Sequence, residues 1–421
     1  MRVLVTSHGS TGDIYPMIRL GVALREAGHD VRYATTPYFR DEVERAALKF
    51  VSLPPNWDQT GFAEAMRELA ASAHGIDLLE RIYRETEPYL SEVVGRLLEE
   101  VETADLFVCS YVFGHMSKLA RMKGVPSAVA IFAHNSVPSD RYPPEHTPRL
   151  LIPVRWVRKF YNRTLWHFAD KVVAARINAI IGEGLAEEGV PPVKSFFIPD
   201  ADLALVTVSP NVFPPEKARH PQFVFPGYLR WQAEEDPALE ADLQAFCAGQ
   251  EVPVLTFGSI NFDHARKIMY RFLDNWPVGK KIIVQRGWAN LTIESPGGDQ
   301  KVVGKVSHDQ LFKFASVVIH HGGAGTTASV LHAGKPHVII PHMGDQYFFA
   351  REVERLGVGR DLKRKNWPEN LPTAVRKVEK SARMRRRAER LAAQLSEEDG
   401  PREAVRILEE LVARNSAKPE A

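Results

Sequence analysis

Residues His320 to Thr327 read His-His-Gly-Gly-Ala-Gly-Thr-Thr and carry the clearest chemical signal in this chain. The apolar run Ala315-Ser316-Val317-Val318-Ile319 before them reads as a short buried strand. The run Ala328 to Gly334 after them reads as a helix closed by glycine. A strand, a glycine-rich turn and a helix N-terminus together make an anion site. The first N–H groups of a helix have no intrahelical partner, and the helix dipole favours negative charge there. Glycine allows close approach, since no Cβ holds a phosphate off. This is not a Walker loop, because the Gly-Lys-Ser/Thr ending is missing, and it is not the dinucleotide pattern G-x-G-x-x-G. The histidines in front of the glycines narrow the reading.

The elements that must position such a turn recur along the chain. Val3–Thr6 reads as a strand, Ser7–Asp13 as a loop, and Met17–Leu24 as a helical pattern that ends at Gly28. A second strand follows at Val31–Thr35. This β-loop-α-β start is typical of parallel sheets with helices on both faces. Strand-like runs return at Leu106–Cys109 and Ser127–Phe132, with a long helical region over about 61–102 between the first pair and these. Pro210, Pro214, Pro215, Pro221, Pro226 and Pro237 then mark an irregular connector. The pattern restarts at Val252–Ser259 and continues through Lys281–Gln285, Ser316–Ile319 and His337–Pro341. The expected organisation is an α/β N-terminal domain over 1–208, a proline-rich connector over 209–250 and an α/β C-terminal domain over 251–395. Residues 396–421 are expected to form a C-terminal helix packing back on the N-terminal domain. Ligands of such sheets sit beyond the carboxyl ends of the strands, so a cleft between two Rossmann-like domains is the expected active site. The run Arg383-Met384-Arg385-Arg386-Arg387 lies in a charged helical stretch, with Glu379 and Glu389 nearby, and reads as a solvated face.

At 421 residues the chain is too long for one ordinary core and suits two domains of roughly 200 residues. A net charge of +2 argues against a nucleic-acid partner, since it gives no strong field to attract a phosphate backbone. Cys109 and Cys247, the two cysteines, cannot build a disulfide framework and lack metal-ligand spacing, which suits a reducing compartment. The N-terminal apolar run is too short for a signal peptide, and no stretch approaches the about 20 apolar residues of a membrane span. The expected location is the cytoplasm.

With these motifs in order, the chain resembles the two-domain GT-B glycosyltransferases, and within them the family 1 branch that glycosylates natural products, sterols and lipids. The resemblance covers nearly the whole chain. It rests on Gly9-Ser10-Thr11-Gly12-Asp13-Ile14-Tyr15-Pro16, Gly28-His29-Asp30-Val31, Phe257-Gly258-Ser259, Arg286-Gly287-Trp288-Ala289, the His320–Thr327 block, Pro336 with Pro341, and Asp345-Gln346. The block Arg286–Gly359 is especially similar to bacterial antibiotic glycosyltransferases and to the sterol glucosyltransferase core.

The resemblance implies an inverting, metal-independent transfer of a hexose from a UDP- or dTDP-sugar to a hydroxyl of a small, largely apolar acceptor, such as a polyphenol, sterol, macrolide or hydroxy-lipid. The nucleotide sugar is a co-substrate, and no cofactor is expected. The departing nucleotide gains charge on its β-phosphate, which the N–H groups near Gly323, Gly325 and Thr326, the Thr326 hydroxyl and His321 would stabilise. His320 would then point elsewhere, and Ser259 would be a second diphosphate contact. The acceptor hydroxyl must lose a proton, and Asp13 is the candidate general base. Many relatives carry histidine there, backed by an aspartate after a later strand; here Leu106–Tyr111 offers none. Asp13 could instead simply cap the first helix, and His8 is the runner-up base. Asp345 and Gln346 match the family's sugar-binding pair. Where plant relatives stack the nucleobase on a tryptophan, this chain has Gly304-Lys305-Val306-Ser307, so backbone contacts at Val306 and the ring of Trp288 are the candidates. The metal-binding paired-aspartate pattern of the other major glycosyltransferase fold is missing.

The acceptor wall is expected within residues 134–168, from His134, Tyr142, Trp156 and Phe160. Three readings of this segment stay open: an apolar acceptor pocket, an amphipathic helix in peripheral contact with membrane, and plain core packing. A rhamnosyltransferase of glycolipid synthesis fits the motifs as well as a glucosyltransferase does. A sugar-nucleotide epimerase and an inactive glycosyltransferase-like subunit are weaker alternatives.

Overall fold

The structure is a computed structural model that describes residues 1–58, 60–62, 64–65, 75–145, 147–214, 220, 222–231, 235–257, 265–286, 297–304, 306–363 and 367–417. The chain divides into two units. The first comprises Met1–Phe62, His74–Leu229 and Asp399–Ala421, and the second is built chiefly from Arg230–Glu398.

The first unit is organised on a seven-stranded sheet in the order β3-β2-β1-β4-β5-β6-β7. Its strands are β1 (Arg2–Thr6), β2 (Asp30–Thr35), β3 (Lys49–Ser52), β4 (Leu106–Ser110), β5 (Ser127–Ile131), β6 (Leu203–Val206) and β7 (Phe223–Val224). All pair in parallel. The central strands are buried along their length, which explains why Val3-Leu4-Val5 and Leu106–Cys109 read as unbroken apolar runs instead of alternating ones. Helices α1 (Thr11–Glu26), α2 (Gly75–Thr86), α3 (Leu90–Glu102) and α4 (Arg155–Glu187) belong to this unit. Helix α1 ends where Gly28 takes φ +88°, letting His29 N–H reach Leu24 C=O at 3.1 Å. The C-terminal helix Gly400–Ser416 packs on α1, with His29 Nε2 3.0 Å from Glu409 Oε1.

The second unit carries a six-stranded parallel sheet in the order β10-β9-β8-β11-β12-β13. Its strands are β8 (Val252–Thr256), β9 (Ile282–Gln285), β10 (Gln300–Val303), β11 (Ala315–His320), β12 (His337–Ile339) and β13 (Gly359–Asp361). Alternate residues feed two separate cores. Leu255, Ile282, Val284, Val317 and Ile319 enter one, and Val254, Ile283 and Val318 enter the other. Two buried faces define a doubly wound sheet. Helix α5 (Pro237–Cys247) closes one face through Leu243 and Cys247, while α6 (Ala324–His332) and α7 (Gln346–Leu356) follow β11 and β12.

Several expectations change. The segment 209–250, read as one connector, divides: β7 joins the first sheet, and α5 packs in the second core. Strands β3, β6, β7, β10 and β13 were not expected. Each spans only two to four residues, too few for periodicity to register. In the described part of the 61–102 stretch, α2 and α3 are separated by a short turn, Glu87–Tyr89, with Pro88 inside it. Arg383, Arg385, Arg386 and Arg387 lie exposed on the helix Ala382–Leu395, as the solvated-face reading requires.

Candidate active site

In each sheet the strand order reverses beside the first strand, between β1 and β4 and between β8 and β11. Adjacent crossovers leave in opposite directions at such a point and open a crevice at the carboxyl ends. The loops Ser7–Ser10 and His321–Gly323 leave β1 and β11 at these points.

In the second unit, Gly322 takes φ +93° and Gly323 is the N-cap of α6, with no side-chain cap. The first backbone bond of the turn is Thr327 N–H to Gly323 C=O at 2.9 Å, so the N–H groups of Ala324, Gly325 and Thr326 are the bare ones. Open space surrounds Gly325, whereas a Cβ on Gly323 would lie 2.3 Å from His321 Nε2. The His321 ring therefore lies across the helix entry, and only glycine admits it. Burial drives His321 down to about 3, so it is neutral at ordinary pH, and its Nδ1 is buried without a partner. His320 turns into the interior. Its Nδ1 accepts Gly322 N–H at 3.2 Å, so its proton sits on Nε2 and is donated to His337 Nδ1 at 3.0 Å. Burial holds both rings neutral, His320 well below its usual value and His337 at about 3. The pair fixes the backbone of the turn.

Gln346 is buried, and its Oε1 accepts the N–H groups of His342 (2.8 Å) and Met343 (3.1 Å), which leaves the carboxamide only its Nε2 for a ligand. Asp345 is half-buried at the start of α7. A Cβ on Gly322 would lie 3.2 Å from Gln346 C=O, so the glycine turn and the Asp345-Gln346 pair abut. The Val306 carbonyl accepts Gln285 Nε2 at 3.2 Å, and Gln285 is held in turn by Thr256. Ser259 and Trp288 lie outside the described residues.

In the first unit, Asp13 stands at the third position of α1. Ser10 Oγ accepts Gly12 N–H at 3.2 Å, and Asp13 Oδ2 accepts Ser10 N–H at 2.9 Å and Ser10 O–H at 3.1 Å. This is a capping box. Gly9, at φ +131°, makes room for it: a Cβ there would be 2.5 Å from Oδ2. Asp13 Oδ1 has no hydrogen-bond partner among the described residues. Burial raises the carboxyl to about 6, outweighing the Ser10 bonds that lower it.

Beside this loop lies a narrow, mostly apolar cavity of about 30 Å³. Ser7, His8, Leu53, Tyr83, Phe113 and His115 are among its lining residues. His115 is buried and His8 half-buried, each with its Nε2 shut away and unpartnered, and desolvation takes His8 to about 4 and His115 to about 3. Buried polar atoms normally find partners, so two unpartnered imidazole nitrogens on lining residues of one cavity are unusual.

None of the four residues expected as acceptor wall lines this cavity. His134 is buried, stacked on Phe213 with ring centroids 4.9 Å apart, and bonded through Nδ1 to the Tyr142 hydroxyl. The Tyr142 carbonyl accepts the indole N–H of Trp166 at 3.0 Å. Trp156 and Phe160 are 73% and 69% exposed, so core packing fails as an account of them. Tyr83, Phe113 and His115 carried no sequence signal of their own; only their place after β4 and before α3 marks them. Among the described residues no group of three His, Cys, Asp or Glu side chains gathers in a metal-binding arrangement, and no helix is long and apolar enough to cross a membrane.

Comparison with known proteins agrees with this geometry. Residues 3–99 match the glycosyltransferase family 28 N-terminal domain, and residues 279–411 match the C-terminal domain of erythromycin biosynthesis protein CIII-like enzymes. The chain is 28% identical over 376 residues to a vancomycin aglycone glucosyltransferase of Amycolatopsis orientalis, covering 85% of each chain. It is 25% identical to a sterol 3-beta-glucosyltransferase of Debaryomyces hansenii, across 95% of this chain and 26% of that protein. Among solved structures, the Streptomyces sp. SF2575 glycosyltransferase SsfS6, complexed with thymidine diphosphate, superposes with a TM-score of 0.66 at 20% identity, covering 97% of this chain and 99% of that one. Two doubly wound units, a bare helix N-terminus behind a histidine and these matches have one common explanation: the chain belongs to the family 1 GT-B glycosyltransferases.

Proposed function

We propose that this enzyme transfers a hexose from UDP- or dTDP-sugar to a hydroxyl of an apolar acceptor, with inversion at C1 and Asp13 as general base. The observation that carries the reading is the α6 N-terminus. Bare N–H groups at Ala324, Gly325 and Thr326 stand beside a neutral imidazole whose Nε2 lies against Gly323. A neutral His321 stabilises phosphate as an N–H donor, since it carries no charge of its own. The Thr326 hydroxyl and Ser259 complete the diphosphate set, Asp345 with Gln346 Nε2 hold sugar hydroxyls, and Val306 with Trp288 take the base. SsfS6 bound to thymidine diphosphate supports a nucleotide-linked donor.

The acceptor O–H proton passes to Asp13 Oδ1, the carboxylate oxygen that Ser10 leaves free. The acceptor oxygen then bonds to C1 as the C1–O bond to the β-phosphate breaks, and the electron pair leaves with the nucleoside diphosphate. A pKa of about 6 suits a base at neutral pH: it is mostly ionised yet more basic than an exposed aspartate. The cavity lined by Tyr83 and Phe113 marks the acceptor side in this reading, with the His8 and His115 side chains in its wall. The vancomycin-aglycone and sterol acceptors named for two relatives support a bulky apolar body.

The test is turnover of UDP- and dTDP-hexoses against polyphenol, sterol, macrolide and hydroxy-lipid acceptors, with product followed by mass and its anomeric configuration by NMR. One nucleoside diphosphate released per glycoside, with C1 inverted, is the expected result. Retention at C1 would overturn the single displacement, and epimerised donor without glycoside would favour an epimerase.

A further inference from the structure

Exposed apolar side chains are concentrated in one place on the first unit. Leu150, Leu151, Val154, Trp156, Phe160 and Phe168 are six of the eleven large hydrophobics that are most exposed among the described residues, and Leu151 is 101% exposed. Single exposed apolar residues need no explanation, but a contiguous group does. Leu150–Val154 form the irregular lead-in to α4, and the aromatics lie on its first turns. At 100° per residue, Trp156, Phe160 and, two turns further on, Phe168 fall within about 120° on one side of the helix, and Arg155, Lys159 and Arg163, spaced by four, form the stripe beside them. Arg155 and Arg158 have no carboxylate partner among the described residues, while Lys159 and Arg163 share the single carboxylate of Asp140. An apolar stripe flanked by surplus cations is complementary to an anionic lipid surface, with rings among acyl chains and ammonium and guanidinium groups at phosphates.

We propose that residues 149–168 dock this protein on an anionic bilayer. The lead-in backbone would stay at headgroup depth, because its N–H and C=O groups lack the internal partners that hydrocarbon demands. The proposal does not depend on sugar transfer, so its failure would leave the reaction untouched. Docked in this way, the enzyme would meet acceptors dissolved in lipid.

The experiment is co-sedimentation of the full chain with phosphatidylcholine vesicles, with and without 30 mol% phosphatidylglycerol (about 30%, enough for a strong surface potential), at low and high salt. Wild type should partition onto the anionic vesicles and be released by salt. Each added cation near the surface is worth about fivefold in partitioning. The double variant Trp156→Ser/Phe160→Ser should partition at least about tenfold less while melting like wild type, since both side chains are exposed in the free protein. Arg155→Glu/Arg158→Glu should lose binding to anionic vesicles alone. Failure of wild type to sediment, or sedimentation that these variants leave unchanged, would overturn the proposal. A wild-type dimer that the serine variant dissolves, without vesicle binding, would overturn it in favour of a second copy as the occupant.

Discussion

Replacing Asp13 by asparagine separates its two roles, because asparagine keeps an oxygen for the Ser10 N–H but cannot take a proton. An aspartate in the unfolded chain titrates near about 3.9, and burial raises it to about 6 in the folded protein. Between these values the folded state holds a proton that the unfolded state has lost. Stability therefore falls as pH rises through this window, and the full penalty is present above it. A shift of about two units corresponds to ~3 kcal/mol; because the carboxyl is only partly shut off from water, about 1–2 kcal/mol is the expected net penalty. Asp13→Asn should therefore melt about 2–8 °C above wild type at pH 8, with the gap closing near pH 4. Turnover should fall about 10²- to 10⁴-fold with donor affinity unchanged. Wild-type kcat/KM should climb with pH on a limb centred near 6, the folded-state value. Asp13→Ala loses the cap as well and should lie below Asp13→Asn by about 0.5–2 kcal/mol. The assays are calorimetry from pH 4 to 8 and initial rates with a saturating acceptor. Turnover of Asp13→Asn within threefold of wild type (about 0.6 kcal/mol of barrier) would remove Asp13 from the reaction. A lower melting temperature at pH 8 would refute the claim that the fold penalises its charge.

Four further outcomes follow from the geometry. His321→Ala should weaken nucleoside diphosphate binding about ten- to hundredfold, the worth of one hydrogen bond to a charged group; calorimetric titration giving wild-type affinity would take His321 out of the phosphate site. Gly323→Ala should mimic it, since the new Cβ would lie 2.3 Å from His321 Nε2 and force the ring aside; unchanged affinity would mean that the ring position is immaterial. His8→Ala and His115→Ala should raise the acceptor KM with donor KM unchanged, since each removes a buried polar atom from the cavity; equal effects on both KM values would point to a folding defect. Turnover should persist in excess chelator, and a loss restored by a divalent ion would overturn metal-independent transfer.

The sequence made the second unit's turn legible because its chemistry is contiguous: strand, glycines and helix occupy one stretch from Ala315 to Gly334. Central strands were legible for a related reason, since burial on both faces demands an unbroken apolar run. Edge strands such as β7 and β13 bury fewer residues and leave a two- or three-residue trace. The cavity of the first unit was hidden because its lining is assembled from β1, α2, α3 and the turn after β4, which are distant in sequence. Within segment 134–168, hydrophobicity alone cannot tell a ring stacked on Phe213, as at His134, from a ring on the surface, as at Trp156. Helix capping and proton transfer need not compete at Asp13, since Oδ2 holds Ser10 and Oδ1 is left for the proton in the proposed reaction.

Melting of wild type and His321→Ala in the presence of a panel of UDP- and dTDP-sugars tests the central claim most directly, because a ligand that binds only the folded state stabilises it by about 2.7 kcal/mol at a hundred times its Kd. Wild type should melt higher with at least one nucleotide sugar, and His321→Ala should show a much smaller rise at the same concentration. Equal rises would contradict the placing of the diphosphate at the start of α6, and no rise with any nucleotide sugar would contradict the donor site itself.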